Sequence, residues 1–240
     1  MQIKFLRQAV YLIGAVLMLT SCNQILSGAQ TPFSKKILFI GNSYTDINGG
    51  LDKQIEILSP ASRAARISPG GFTLENHWND GKALQIIRQG GLDYVVLQDQ
   101  SQTSVVDGNK FYMYAEKFDL EIRKTGARTI LFMTWERPDS IRYGVTTANL
   151  AASYNSVGAK LGVQVAPVGL AFARSLRERP DLGLYSQDGH PTSYGTFLAA
   201  CVLYGKIFNA SPVGTSYWDW NINSELKAYF QRIAAETLGF

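Results

Sequence analysis

The stretch Lys36-Ile37-Leu38-Phe39-Ile40-Gly41-Asn42-Ser43-Tyr44-Thr45 decides how this chain is read. Four consecutive apolar residues without polar alternation describe a strand buried on both faces, as in a parallel sheet, rather than one with a wet side. The run stops at a glycine, and a hydroxyl follows two residues later. A serine between a buried strand and a helix is where an exposed nucleophile can sit, although Gly-Asn-Ser is also ordinary turn and helix-cap chemistry.

Working outward, short apolar runs recur at 63–67, 93–97, 129–135 and 163–168. The intervening segments 51–58, 81–89, 111–125 and 146–161 carry apolar residues three or four apart, the spacing of one helical face. A further helix is expected over 192–208. Strands alternating with helices predict an α/β protein: a three-layer αβα sandwich around a central, mostly parallel five-stranded sheet. Ligands of such sheets bind beyond the carboxyl ends of the strands, so the residues that follow each strand carry the functional reading.

Those residues are polar and chemically pointed. The second run ends in Ser68-Pro69-Gly70-Gly71, where glycine lets the backbone approach a ligand and present an N–H to it. The third ends in Gln98-Asp99-Gln100-Ser101, with two side-chain amides able to donate to an anion. The chain has two histidines, His77 and His190. His190 lies in Gln187-Asp188-Gly189-His190-Pro191, beside the N-terminus of the last expected helix, whose positive end favours the neutral imidazole that a base requires. His77, in Glu75-Asn76-His77-Trp78, sits within a helical stretch and reads as a packing or surface residue. Trp135, Tyr44 and Trp78 could face a sugar, but in a chain with 12% aromatic residues they read first as core.

Taken in order, these features resemble the SGNH hydrolase family, also called GDSL-like esterases, over Lys36 to about Phe208. The resemblance implies a flavodoxin-like fold and matches Ser43 to the family's serine, Gly71 or Gly70 to its glycine, and His190 to its histidine. Two departures stand out. The usual Gly-x-Asn-Asp is replaced by Gln98-Asp99-Gln100-Ser101, leaving Gln100 or Gln98 in the asparagine's role. In the Asp-x-x-His block, Gln187 stands three residues before the histidine and Asp188 two before it, so either could orient His190. The family's chemistry then implies ester hydrolysis through an acyl-enzyme on Ser43, with His190 as base and Asp188 as the preferred third member. The oxyanion would be held by the N–H groups of Ser43 and Gly71 and by one glutamine amide. The implied substrate is a small acyl ester, with acetyl on a saccharide the favoured case. An O-acyltransferase on the same scaffold, or a surface protein that binds glycan without catalysis, are the alternatives.

Composition narrows the remaining classes. With 46% apolar and 18% charged residues the chain has material for one large core. Its formal charge of +4 includes Lys4 and Arg7 of an N-terminal export segment, which leaves +2 and no basic stripe for nucleic acid. Gly-x-Ser-x-Gly, phosphate-loop and zinc-spacing motifs are absent, and no cofactor or metal is expected. Residues 1–21 have the charged, apolar and small-residue zones of a secretory leader, and Leu19-Thr20-Ser21-Cys22 resembles a bacterial lipobox. That resemblance implies a diacylated Cys22 holding the protein to a membrane of the cell envelope. Residues 22–34 read as a linker and 35–240 as one hydrolase domain. Cys201 would then have no disulfide partner and reads as a small buried hydrophobe.

Overall fold

The computed structural model describes residues 34–216 and 222–240. The leader, Cys22 and all of the expected linker except Ser34 lie outside them. Among the described residues no helix is long and apolar enough to cross a membrane.

Five strands, β1 (Lys36–Ile40), β2 (Arg63–Ile67), β3 (Tyr94–Leu97), β4 (Arg128–Phe132) and β5 (Gln164–Ala166), form one sheet in the order β2-β1-β3-β4-β5, parallel throughout. The central strands are buried on both faces because their apolar runs do not alternate. Ile37 and Phe39 enter one core, while Leu38 and Ile40 enter the other. Helices α2 (Leu51–Leu58), α8 (Val168–Glu178), α9 (Ser193–Phe208) and α10 (Ser224–Leu238) cover the first face. Helices α3 (Leu74–Asp80), α4 (Lys82–Gln89), α6 (Gly108–Lys124) and α7 (Thr147–Leu161) cover the second. This is the expected three-layer sandwich, with two cores joined through the sheet.

Helix α9 is apolar nearly all round, with twelve buried residues, because it is sandwiched between the sheet side and α10. Cys201 is fully buried within it and its thiol is pushed up by burial, as a small hydrophobe's would be. The edge strand β2 carries Arg63 and Arg66, and charge on an edge discourages pairing with other chains.

The boundaries differ from expectation at the far edge. The run at 129–135 yields a strand only to Phe132, and the residues after it turn into the site loop. The run at 163–168 gives a three-residue strand, since Val168 already opens α8. Apolar runs locate buried segments but do not say where the backbone leaves the ladder. Helices α8 and α10 were not anticipated.

The strand order reverses direction between β1 and β3: the chain leaves β1 towards β2 on one side and returns to β3 on the other. A crevice opens at such a switch point, beyond the carboxyl ends of those two strands. Both Gly41-Asn42-Ser43 and Gln98-Asp99-Gln100 emerge there.

Candidate active site

Serine 43 opens a single-turn helix, α1 (Ser43–Asp46), directly after β1. Asn42 builds that turn: its side chain accepts from Tyr44 N and donates to Phe72 O at 3.0 Å, tying the serine turn to the Gly70-Gly71 loop. Asn42 N donates to Gln98 Oε1 at 3.0 Å, and the Thr45 hydroxyl donates to the same oxygen at 3.0 Å. Gly41 is required here, because a Cβ at that position would drive into Thr45 Oγ1 and Gln98 Oε1. His77 supports the turn from beneath. It is buried, and its Nε2 donates to Gly41 O at 2.6 Å. Burial lowers its pKa, which keeps the ring neutral. It is a packing residue, as its position in the sequence suggested.

His190 reaches Ser43 from the opposite side of the crevice. Its Nε2 lies 2.8 Å from Ser43 Oγ, and its Nδ1 lies 2.9 Å from Asp188 Oδ2. The two-residue spacing from Asp188 works because the segment folds back on itself. Ser186 N donates to His190 O, Gly189 N donates to Ser186 O, and Tyr185 and Pro191 form an antiparallel bridge. Within this turn Asp188 Oδ1 accepts from Ser186 Oγ at 2.5 Å and from His190 N at 3.1 Å. These bonds, the serine hydroxyl first and then the His190 N–H groups, hold the Asp188 carboxyl well below the usual carboxylate range. The carboxylate is nevertheless largely exposed, so water screens its charge and its geometry matters more than its field. Gln187 lines a neighbouring cleft, and the His190 ring nitrogens meet Ser43 and Asp188 instead.

The pocket above Ser43 holds about 390 Å³ and is lined by Asn42, Tyr44, Gly71, Gln100, Arg137 and His190, among others. Ser43 is the first residue of α1, so its N–H has no intrahelical acceptor and is free to face a developing anion. Gly71 has φ +72°, a left-handed backbone that side-chain-bearing residues rarely adopt. Of the two glutamines, only Gln100 lines the pocket. Gln98 is fully buried under the serine turn, with its oxygen taken by Asn42 and Thr45 and its amide donated to Asp99 O. It is part of the scaffold and is not placed to meet an oxyanion, which corrects its inclusion among the candidate donors. Alternation would put Gln98 and Gln100 on one face, but β3 ends at Leu97: Gln98 N still donates to Ile40 O, which keeps its side chain beneath the serine turn, whereas Gln100 lies beyond the ladder.

Three features were missed. Arg137, after β4, donates from Nη1 to Asp188 O at 3.0 Å and to the Tyr44 hydroxyl at 3.2 Å, and from Nη2 to Asp139 at 3.2 Å. It clamps the histidine loop to the serine turn. Gly189, with φ +85°, makes room for it, since a Cβ there would strike Arg137 Cδ. Arg137 stands five residues past the end of β4, and nothing local in the sequence marks it as a clamp. Asp99 is the second feature. It is buried, and one oxygen accepts from Gln100 N at 2.7 Å and Leu74 N at 3.1 Å. Burial outweighs those bonds and its carboxyl is pushed up to about 6. The third is an aromatic stack: Tyr44 lies on Trp135 with centroids 4.3 Å apart, and Trp135 lies on Phe172 at 4.4 Å. Only Tyr44 of this stack lines the pocket; Trp135 is its buried support, and Trp78 packs on Phe118 in the other core. Among the described residues no group of three or more His, Cys, Asp or Glu side chains could hold a metal ion.

Such an arrangement, a serine hydroxyl on an imidazole that is itself held by a carboxylate, is the geometry of nucleophilic acyl transfer. No protein-family model and no curated protein sequence matches the chain. Solved structures do. The chain is similar to a DUF4886 family protein from Bacteroides uniformis, 16% identical over 86% of this chain and 95% of that one, with a TM-score of 0.71. It is similar to a protein from Slackia heliotrinireducens assigned provisionally as an SGNH hydrolase, 23% identical over 71% and 97% of the two chains, with a TM-score of 0.63. An acetyl xylan esterase superposes with a TM-score of 0.57, at 15% identity over 71% of this chain and 98% of that one. The chain therefore has the fold of the SGNH hydrolases.

Proposed function

We propose that the protein is a serine esterase that removes a small acyl group, acetyl in the favoured case, from a saccharide. The observation that carries this reading is the hydrogen-bonded line from Ser43 Oγ through His190 to Asp188, 2.8 and 2.9 Å long, at the switch point of the sheet. Ser43 Oγ attacks the acyl carbonyl as its proton passes to His190 Nε2, and the C–O bond to the alcohol breaks as that proton is given to the departing oxygen. Water, deprotonated by the same nitrogen, then cleaves the acyl-enzyme and restores Ser43. Asp188 holds the ring by Nδ1 and stabilises its cation. The N–H groups of Ser43 and Gly71 and the Gln100 amide supply the oxyanion donors, the Gln100 nitrogen giving up Ser101 Oγ, 3.2 Å away, while its oxygen stays held by Gln102 N at 2.8 Å.

The export leader and the lipid on Cys22 belong to the same proposal, placing the enzyme at the cell envelope where acylated glycans are met. The test is labelling with a fluorophosphonate probe together with acetate release from acetylated sugars. Covalent labelling at Ser43, and loss of both signals in Ser43→Ala, is the expected result. An unlabelled wild-type chain that releases no acetate would leave only a binding protein on this scaffold.

A further inference from the structure

A second cleft of about 360 Å³ adjoins the catalytic pocket, with Arg137 lining both. Its other walls are Pro138 and Asp139 from the loop after β4, and Tyr185, Ser186 and Gln187 from the turn that carries His190. No step of acyl transfer uses these residues. The turn that walls this cleft also carries His190, whose Nε2 returns a proton to the departing alcohol, so the cleft opens on the alcohol side of the reaction.

The chemistry of the walls is selective. Tyr185 is half-buried and offers a ring face, and Gln187 is exposed with a planar donor and acceptor. Arg137 has spent Nη1 on Asp188 O and Tyr44 and one bond of Nη2 on Asp139, while its buried Nε has no protein partner. Asp139 gives one oxygen to Arg137 and keeps the other. Charge decides between alcohols. One guanidinium here bonds the Asp139 carboxylate and the main-chain oxygen of Asp188, while burial first and then the carboxylates of Glu136 and Asp139 hold the Tyr185 hydroxyl above its usual range. An anionic alcohol would be repelled by that balance. A plain alkyl alcohol would strip water from the amide, the guanidinium and the carboxylate while bonding none of them. An uncharged ring bearing several hydroxyls meets both demands, with its C–H face on Tyr185 and its hydroxyls on the planar groups.

We infer that the cleft of Arg137, Asp139, Tyr185 and Gln187 is the alcohol-side subsite and selects an uncharged, hydroxyl-rich alcohol against anionic and alkyl ones. The inference rests on the esterase reading above and assigns residues to its substrate.

The experiment compares kcat/KM for three acetate esters: an O-acetylated methyl glucoside, the matching O-acetylated methyl glucuronoside, and ethyl acetate. The full chain, Tyr185→Ala and Gln187→Ala are each assayed; Gln187 is exposed, so its variant keeps the fold. The wild type should favour the glucoside over both others by about tenfold or more, one good hydrogen bond or ring contact being worth roughly that factor. In the variants that preference should shrink to about threefold or less, through KM rather than kcat. Equal rates for the three esters, a preference for the glucuronoside, or an undiminished preference in both variants would overturn the subsite while leaving the esterase standing. No turnover of any ester, with no fluorophosphonate labelling, would overturn the esterase reading and the subsite with it.

Discussion

Replacing Asp99 by asparagine should make the protein more stable at neutral pH and change nothing in mild acid. The carboxyl is 1% exposed and one of its oxygens accepts both peptide N–H bonds, so an asparagine oxygen can take both while its amide replaces the second oxygen. The substitution thus copies the protonated acid. The sign follows from the raised pKa. Below 3.8 the group is protonated in both states and adds no pH dependence; between 3.8 and about 6 the folded chain holds a proton that the unfolded chain has released. Stability therefore falls as pH rises through that window. At 1.36 kcal/mol per tenfold change in proton affinity, a carboxyl moved from 3.8 to about 6 removes about 3 kcal/mol by pH 7. Urea unfolding of the wild type and Asp99→Asn at pH 4 and pH 7 checks this. The variant should gain roughly 3 kcal/mol on the wild type between the two pH values. Parallel stabilities at both pH values would refute the claim that burial, rather than the two N–H bonds, governs this carboxylate.

The two glutamines should separate by what they damage. Gln100→Ala should leave the melting temperature within a degree or two and lower kcat about 10²- to 10³-fold, the usual loss for one oxyanion donor. Gln98→Ala strands the Asn42 N–H and the Thr45 hydroxyl beneath the serine turn and should cost on the order of 2–4 kcal/mol in unfolding free energy; matched thermal and kinetic measurements on both variants decide it, and the reverse pattern would reassign the donor. Gly189→Ala places a Cβ against Arg137 in a left-handed backbone, so about 1–2 kcal/mol of strain and a displaced clamp should appear together as lower stability and a weaker kcat in an ester assay. Wild-type rates in that variant would show that Arg137 does not position the histidine turn.

What the chain settled by its sequence is the part governed by local pattern. The unbroken apolar run of 37–40 requires burial on both faces, and a strand so buried requires helices above and below. The sandwich and the place of Ser43 at its rim follow. His190 was legible for a similar reason: histidines are few here, and one stands beside a helix N-terminus. The tertiary structure decided whatever depends on which way a side chain faces once strands have ended. Gln98 and Gln100 differ by two positions and have the same amide, yet one is swallowed beneath the serine turn and the other lines the pocket. Asp188, two residues before His190, reaches the ring only because hydrogen bonds close the turn 186–190 upon itself. Arg137 shares no local signal with the residues it clamps, being 93 positions from Tyr44 and 51 from Asp188. Periodicity and propensity act over one or two turns of chain, whereas the choice of donor, orienting carboxylate and clamp is made by loops that meet only after the sheet has assembled.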